Sequence, residues 1–327
     1  MKQCRRERFL RAANAQGDSR GRLRLRHWSG MPLSPRHASE VEHWTEVESQ
    51  TRNGTRLFWL SHPRVARHYY DKAKVDGLPW RNWVLRALGR PARRALELGC
   101  GNGAGIAETW KEGLAEHLTG LDLDESRFSE TQGLLRAAGA QVEFIAADAN
   151  DMHLGECQYD LIYAVQSVHH FENLERIMAE VRRALTPEGL FVLDEFVGPA
   201  RFQWTDIQLS LVGQLLGLMP ANLRQYRNGI EKACEGRSTV EEVVQVCPSE
   251  AIRSDEIVPV FYANFSVVEH RSLGGTIQHL LYSGIIHNFP DNDPTIDHMI
   301  DCIDGLETTL IERRVIPSDF ALLIGKR

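Results

Sequence analysis

Residues 95–105 constrain the fold of this chain more than any other segment. An apolar run at 95–98 is followed by glycine at positions 99, 101, 103 and 105, where the pattern of a helix begins. Glycine adopts positive φ angles in tight turns and lets a ligand approach the backbone closely. The helix beyond offers free N–H groups and the positive end of its dipole, which suit a carboxylate. The segment therefore predicts a strand–turn–helix unit that binds a ligand at its turn.

Short apolar runs and helical patterns alternate after this unit. The segment 174–185 shows the helical pattern most clearly, because its apolar residues recur at i, i+3, i+4 and i+7 and share one face. Such alternation is typical of a parallel sheet with helices on both faces. The predicted elements are strands at 95–98, 118–123, 141–146, 160–165 and 190–196, and helices at 104–114, 125–137 and 174–185.

Two later apolar runs, at 265–268 and 320–324, bring the predicted sheet to seven strands. The expected fold class is α/β: a doubly wound, mostly parallel seven-stranded sheet, with N-terminal helices before it and a helical insertion or lid after strand five. Residues 203–246 are expected to be helical, as are 276–286 and 295–313. The predicted parts are a basic, disordered arm at 1–40, a helical cover at 41–92, a ligand-binding α/β core at 93–200, a helical substrate-binding insertion at 201–263, and the last two strands with their helices at 264–327.

Charge is distributed unevenly along the chain. The formal net charge is −6, yet residues 1–37 hold ten Lys or Arg against two acidic residues, which leaves a balance of −14 for residues 38–327. An acidic body is a poor surface for polyanions, so nucleic acid is not the expected partner. The basic arm lacks interleaved aromatic residues, which favours a solvated tail over a contact with nucleic acid or a membrane.

Cysteine usage and hydropathy indicate a cytoplasmic protein. The six cysteines are scattered and form no C-x-x-C pair, which argues against structural zinc and against a disulfide framework. No run of 18 apolar residues predicts a membrane span, and the basic start lacks the apolar segment of a secretory signal. The helix at 295–313 is expected to pack either on the core or on a second copy of the chain in a homodimer.

Acidic residues follow three of the predicted strands. Glu97 ends the first strand, Asp122 lies about twenty residues beyond the glycines, and Asp148 follows the third strand. The second acid is placed for ribose hydroxyl groups and the third for an adenine amino group. A dinucleotide-binding G-x-G-x-x-G turn expects a small residue where Glu97 stands, so a NAD-dependent oxidoreductase is the weaker alternative.

This ordered set resembles the class I methyltransferases that depend on S-adenosylmethionine (SAM), in particular the UbiE-like and type 11/12 groups. The resemblance covers roughly residues 94–197. It implies that Glu97 and the glycine turn shape the SAM pocket, that Asp122 binds the ribose, and that Asp148 lies beside the adenine. The expected cofactor-binding residues are Glu97, Gly99, Cys100, Gly101, Gly103, Asp122, Leu123, Asp148, Ala149 and Gln166.

Further segments at 58–63, 194–199, 248–256 and 273–276 resemble a bacterial type 12 methyltransferase subgroup of undefined substrate. With them the resemblance extends over about residues 41–327 and leaves the basic arm unmatched. It implies the same fold and cofactor and assigns no acceptor.

Residues that follow strands four and five should face the transferred methyl group, because ligands of doubly wound sheets bind beyond the carboxyl ends of the strands. A hydroxyl acceptor benefits from a general base, for which imidazole suits neutral pH. We predict His170 as the base, then Glu195 and then His169, while a structural role for the two histidines stays open. Adjacent histidines also suggest a metal, but no further ligand has a matching spacing and no metal site is predicted. The candidates at these strand ends are Gln166, His169, His170, Asp194 and Glu195.

Arg253 and Tyr70 are the predicted substrate contacts. Arg253 offers a bidentate clamp for a carboxylate or phosphate, although 248–256 also fits a helix cap at Ser249 followed by a solvated turn. Tyr69, Tyr70 and Trp59 either close over SAM or pack in the core.

The leading hypothesis is SAM-dependent methyl transfer to a small molecule, at the oxygen of a hydroxyl or carboxylate group. The segment after strand four lacks the N-P-P-Y pattern of adenine and glutamine N-methylation. N-methylation of small amines and C-methylation stay open. Two further alternatives are a SAM-binding regulatory or partner subunit without turnover, and an RNA methyltransferase that uses the basic arm.

Overall fold

The computed structural model describes residues 35–52 and 58–327 of the chain. Helices and strands alternate through its central part, and short 3-10 turns join several of them. The helices are α1 (Pro35–Arg52), α2 (Pro63–Lys72), α3 (Trp80–Leu88), α4 (Ala104–Lys111), α5 (Ser129–Ala137), α6 (Leu174–Ala184), α7 (Asp206–Leu218), α8 (Val240–Val246), α9 (Ile257–Asn264), α10 (Gln278–Tyr282) and α11 (Pro294–Glu312). The strands are β1 (Ala92–Leu98), β2 (Ala115–Asp122), β3 (Val142–Ala146), β4 (Tyr159–Val165), β5 (Leu185–Phe196), β6 (Ser266–Gly274) and β7 (Phe320–Lys326).

The seven strands form one sheet in the order β3-β2-β1-β4-β5-β7-β6. Strands β1 to β5 pair in parallel, and β7 runs antiparallel between β5 and β6. The predicted doubly wound, mostly parallel seven-stranded sheet is confirmed. Strand order reverses between β1 and β4, and sheets of this kind bind ligands in the crevice at such a reversal.

The central strands are buried on both faces of the sheet. In β4, Leu161 and Tyr163 pack into the core on one face, and Ile162 and Ala164 into the core on the other. Successive side chains of a strand point to opposite faces, and parallel strands under two helix layers therefore need apolar residues at every position.

Helix α6 shows how the sequence pattern becomes packing. Its residues Leu174, Ile177, Met178 and Val181 are fully buried in the core on one face of the sheet. Each buried side chain of this size contributes about 1.5–3 kcal/mol relative to an exposed one. The apolar stripe predicted from the sequence therefore fixes the orientation of this helix.

The predicted helix over 203–246 is wrong in its middle. Helix α7 ends at Leu218, and α8 begins only at Val240. Pro220 explains the break, because proline removes a backbone donor and disfavours the helical conformation of the residue before it. Between the two helices the chain forms a turn at Gly229, whose φ is 80°, and an isolated bridge from Gln225 to Glu231.

Other helix and strand boundaries also differ from the predicted ones. Helix α1 begins at Pro35 and so crosses the predicted boundary at residue 40, while residues 1–34 of the basic arm lie outside the described residues. The predicted 276–286 helix contracts to α10, which is followed by Gly284 at a φ of 75°. Strand β6 extends to Gly274, beyond its apolar run, because its polar residues alternate between exposed and half-buried positions at the sheet edge.

Helix α11 packs on the core of its own chain. Ile300 and Ile303 are buried there, and α11 contacts α2, α10 and β6. Within the described residues, no helix is both long and apolar enough to cross a membrane.

Candidate active site

A cavity of about 920 Å³ opens at the carboxyl ends of strands β1 to β5. Helices α1, α2 and α3 contribute Trp44, Tyr70 and Trp80 to its opposite wall. The cavity thus lies where the reversal of strand order predicts a ligand, and the N-terminal helices cover it.

The glycine turn after β1 brings the backbone against the next loop. Gly99 has a φ of 67°, and a Cβ atom added there would lie 2.4 Å from Cβ of Ser167. Gly103 has a φ of 80° and caps α4. Only glycine satisfies both the positive φ and the close approach at position 99.

Glu97 lines the cavity at the end of β1 and is almost fully buried. Its Oε2 lies 3.2 Å from the hydroxyl of Tyr163. Burial raises the pKa of Glu97 to about 8, partly opposed by the positive charge of Arg81. A cationic group of a ligand at this position would favour the ionised carboxylate.

Asp122 joins the glycine turn to the end of β2. Its Oδ2 accepts a 2.7 Å hydrogen bond from the backbone of Gly101, and its Oδ1 accepts one of 2.8 Å from Leu123. Arg127 lies 3.2 Å from the same Oδ1. The carboxylate is therefore fixed in position at the cavity wall.

Asp148 and Ala149 line the cavity beyond β3. Asp148 accepts hydrogen bonds from the backbone and side chain of Asn150, and His37 of α1 lies 3.4 Å away. Burial acts to raise the pKa of Asp148, but the contacts with His37 and Asn150 outweigh it and lower the pKa. This acid therefore stays ionised at neutral pH.

Asp194 faces the cavity from β5. Its Oδ1 accepts a 2.5 Å hydrogen bond from Tyr69, and Nε2 of Gln166 lies 3.4 Å away. Burial raises the pKa of Asp194 to about 6, against the lowering effect of the Tyr69 hydrogen bond. Gln166 adopts a φ of 51°, which is uncommon outside glycine.

Glu195 and His169 form a buried pair behind the cavity wall. Nδ1 of His169 lies 2.5 Å from Oε1 of Glu195, and the backbone N–H groups of Ser167 and Val168 donate to Oε2. Burial acts to lower the pKa of His169, but the Glu195 carboxylate outweighs it and raises the pKa. The pair therefore holds the loop after β4 against β5.

His170, unlike its neighbour His169, lines the cavity. Its Nδ1 lies 3.1 Å from Oγ of Ser249, and the ring of Trp44 packs edge-on at 5.2 Å. Burial, reinforced by the charge of His169, holds the pKa of His170 well below its usual value of 6.5. His170 is consequently neutral at pH 7.

Part of the chain is similar to a known protein family. Residues 96–193 match the methyltransferase domain family. The match runs from β1 into β5, the part of the sheet whose strand ends form the cavity. The whole described architecture has the same fold as geranyl diphosphate C-methyltransferase from Streptomyces coelicolor, with a TM-score of 0.50 and 13% identity over 90% of this chain and 100% of that one.

Curated relatives of the methyltransferase domain act on different acceptors. A fatty-acid O-methyltransferase of Mycolicibacterium smegmatis is 31% identical over 46% of this chain and 55% of its own length. A sterol 24-C-methyltransferase of Gibberella zeae is 30% identical over 41% of this chain and 32% of its own length. The chain thus spans between about a third and about half of the curated relatives it matches.

The methyltransferase domain brings most of the predicted cofactor-binding residues to one cavity. Gly103 is the exception, because it lies behind the wall and contributes the cap of α4. The nine others line the cavity: Glu97, Gly99, Cys100, Gly101, Asp122, Leu123, Asp148, Ala149 and Gln166.

The predicted acceptor-side residues divide between the cavity and its surroundings. His170 and Tyr70 line the cavity, whereas Glu195 and His169 lie behind it. Side-chain alternation in β5 explains this division, because Asp194 and Glu195 cannot point to the same face. Trp59 is buried in the core, where its ring packs on Tyr69.

Arg253 does not reach the cavity. Its guanidinium group pairs with the carboxylates of Glu175 and Glu256, at 2.6 and 2.7 Å, and donates to the carbonyl oxygen of Glu172. The predicted substrate clamp is therefore part of an ion-pair network outside the cavity. The predicted helix cap at Ser249 is also wrong, because the next helical turn begins only at Ser254 and Ser249 is buried against His170. The exposed Asp255 and Glu256 agree with the solvated turn.

The sequence did not predict which side chains contact His170 and Asp194. Ser249 lies 79 positions from His170, and Tyr69 lies 125 positions from Asp194. His170 and Asp194 themselves were detectable by their positions at strand ends, and the period of two along β5 would have separated Asp194 from Glu195.

Proposed function

We propose that the chain transfers a methyl group from SAM to an oxygen atom, in a hydroxyl or carboxylate group, of a small molecule. The observation that carries the proposal is that one cavity joins the glycine turn and its acids to Asp194 and His170. Its volume of about 920 Å³ lies near the upper end of ligand sites, which span roughly 300–1,000 Å³. That volume suits a cofactor together with an acceptor.

The residues around the glycine turn fit the functional groups of SAM. The buried Glu97 suits its ammonium group, the N-terminus of α4 its carboxylate, and Asp122 its ribose hydroxyl groups. Asp148 and Ala149 would lie beside the adenine. When bound, SAM supplies a methyl group already activated on a sulfonium sulfur, so the protein needs only to position an acceptor and handle its proton.

His170 is the best-placed general base of the described residues. It is neutral at pH 7 and lines the cavity together with Ser249, which its Nδ1 contacts. Asp194 and Gln166 present further polar atoms for orienting the acceptor. A carboxylate acceptor needs only this orientation, whereas a hydroxyl acceptor would release its proton to His170.

The remaining wall favours an acceptor with an apolar body. Phe58, Leu60, Tyr70 and Trp80 line the cavity alongside Trp44. Aromatic and aliphatic walls with few polar groups are typical of sites for largely apolar ligands. The fatty-acid and sterol methyltransferases among the relatives support this class of acceptor.

Isothermal titration calorimetry with SAM and S-adenosylhomocysteine tests the cofactor, using wild type, Asp122→Ala and the exposed control Asp255→Ala. We expect micromolar binding that Asp122→Ala loses and Asp255→Ala keeps. Mass spectrometry then tests turnover with fatty acids, sterols and phenols, each expected to gain one methyl group if accepted. Binding without any methylated product would favour a regulatory subunit, and absence of binding to folded protein would overturn the proposal.

A further inference from the structure

We propose that His169, His170 and Glu250 form a binding site for a divalent transition-metal ion, with Zn²⁺ the best match to its donor atoms. One ligand atom from each residue lies within 4.8 Å of the other two. Nε2 of His169 is 3.6 Å from Oε1 of Glu250, and Nε2 of His170 is 4.0 Å from Oε2. The fold thus supplies the third ligand that the sequence spacing did not reveal.

Both imidazole rings are held by their other nitrogen. Nδ1 of His169 contacts Glu195, and Nδ1 of His170 contacts Ser249, so each Nε2 is turned toward Glu250. Histidines that bind metals almost always have their second nitrogen fixed by a carboxylate, a carbonyl or a similar group. The buried Glu195, itself fixed by two backbone N–H groups, is an outer partner of this kind.

Nε2 of His170 is otherwise unexplained. The atom is buried and has no hydrogen-bond partner among the described residues. A buried polar atom without a partner destabilises the folded state, so native structures rarely leave one unsatisfied. A cation bound between the two Nε2 atoms and Glu250 would satisfy it.

Ligand number and spacing favour a site with an open position. Two imidazoles and one carboxylate are a donor set of catalytic Zn²⁺ sites, which keep a further position for water or substrate. Bonds of about 2.1 Å place tetrahedral ligand atoms about 3.4 Å apart, so side-chain shifts of roughly 1 Å would close the site. His170 and Ser249 line the cavity, which brings the site to its edge.

The ion would change the role of His170. A coordinated Nε2 has no lone pair to accept a proton, and an acceptor oxygen bound to the ion would lose its proton more readily instead. The metal inference does not depend on the proposed methyl transfer, since it rests on the geometry of three side chains.

The test uses untagged, chelator-treated full-length protein and titrates it with Zn²⁺ by calorimetry. We expect one ion per chain, at least 100-fold weaker binding for Glu250→Gln, and 10- to 100-fold weaker binding for Glu195→Gln, the loss typical of outer partners. The control Glu256→Gln changes a neighbouring glutamate that pairs with Arg253 and should bind Zn²⁺ like wild type. SAM binding, measured on every variant, reports whether the fold is intact.

Visible spectra of the wild-type protein with Co²⁺ identify the ligands without any substitution. Bands of a nitrogen- and oxygen-ligated, low-symmetry site that Zn²⁺ displaces would support the assignment. Thiolate charge-transfer bands would overturn it, because a cysteine would then bind the ion, either Cys247 beside His170 or an exposed one such as Cys157. Equal Zn²⁺ affinity for wild type and Glu250→Gln, or no Zn²⁺ binding to folded wild type, would also overturn it.

Discussion

The hydroxyl group of Tyr69 donates a 2.5 Å hydrogen bond to Oδ1 of Asp194, which connects helix α2 to the carboxyl end of β5. The contact brings the N-terminal cover and the sheet together at the cavity. Two effects compete at the carboxyl group, since burial raises its pKa and the hydrogen bond lowers it, and the resulting pKa is about 6. Asp194 therefore changes charge close to physiological pH.

The raised pKa predicts a pH-dependent stability penalty. A carboxyl group with a higher pKa in the folded than in the unfolded state binds more protons when folded, so stability falls as pH rises from about 4 to about 6. Asp194→Asn removes this penalty and should raise the free energy of unfolding by about 1–3 kcal/mol at pH 8, with little change at pH 4. Urea unfolding at both pH values checks this, with the exposed Asp255→Asn as control. An equal effect at both pH values would show that packing, rather than ionisation, decides the outcome.

Gly99 and Gly113 form a matched pair for testing the glycine turn. Their φ angles are 67° and 65°, but a Cβ at Gly99 would meet Ser167 at 2.4 Å, and one at Gly113 would meet nothing within 4 Å. Alanine at either position costs about 1 kcal/mol of backbone strain. In Gly99→Ala the loop after β4 must also shift, which should lower the free energy of unfolding by a further roughly 1–3 kcal/mol. The same shift should weaken SAM binding at least tenfold. Thermal unfolding and calorimetry check both, and similar losses for the two variants would refute the role of close approach.

The low pKa of His170 predicts an unusual dependence of turnover on pH. A base must be neutral to accept a proton, and burial holds the pKa of His170 well below 6.5. We therefore expect kcat for a hydroxyl acceptor to stay flat from pH 8 down to 6.5, without the fall expected of an unperturbed histidine. His170→Asn should lower kcat by about 10²- to 10⁴-fold, with SAM affinity kept, whereas the exposed His153→Asn should have no effect. Unchanged kcat in His170→Asn would leave a carboxylate acceptor, which needs no base.

The ion pairs of Arg253 predict that its substitution lowers stability and leaves substrate binding unchanged. Arg253→Gln breaks its contacts with Glu175 and Glu256, both of which are well exposed. Exposed pairs contribute little, so the free energy of unfolding should fall by about 1 kcal/mol. KM values for SAM and for the acceptor should stay within about twofold of wild type. A rise in the acceptor KM of tenfold or more would restore Arg253 as a substrate contact.

Fold prediction from the sequence succeeded where local pattern and packing agree. The stripe on α6 and the apolar runs of β1 to β5 appear in the structure within a few residues of their predicted positions. Prediction failed between Leu218 and Val240, where proline outweighs the helical propensity of its neighbours. The predicted length of the edge strand β6 was too short, because its polar positions interrupt the apolar run.

The glycine turn, the acids at the ends of β1 and β2, and the acid just beyond β3 were predictable from the sequence, because these residues are near one another along single strand–turn–helix units. Which acceptor-side groups share the cavity depends on how the whole chain folds. Side-chain alternation separates Asp194 from Glu195, and chain folding brings Tyr69 to Asp194 and Glu250 to the two histidines. These contacts join positions that are about 80 or more residues apart, and no local spacing encodes them. They follow from the order of the strands and from the helices that cover their ends.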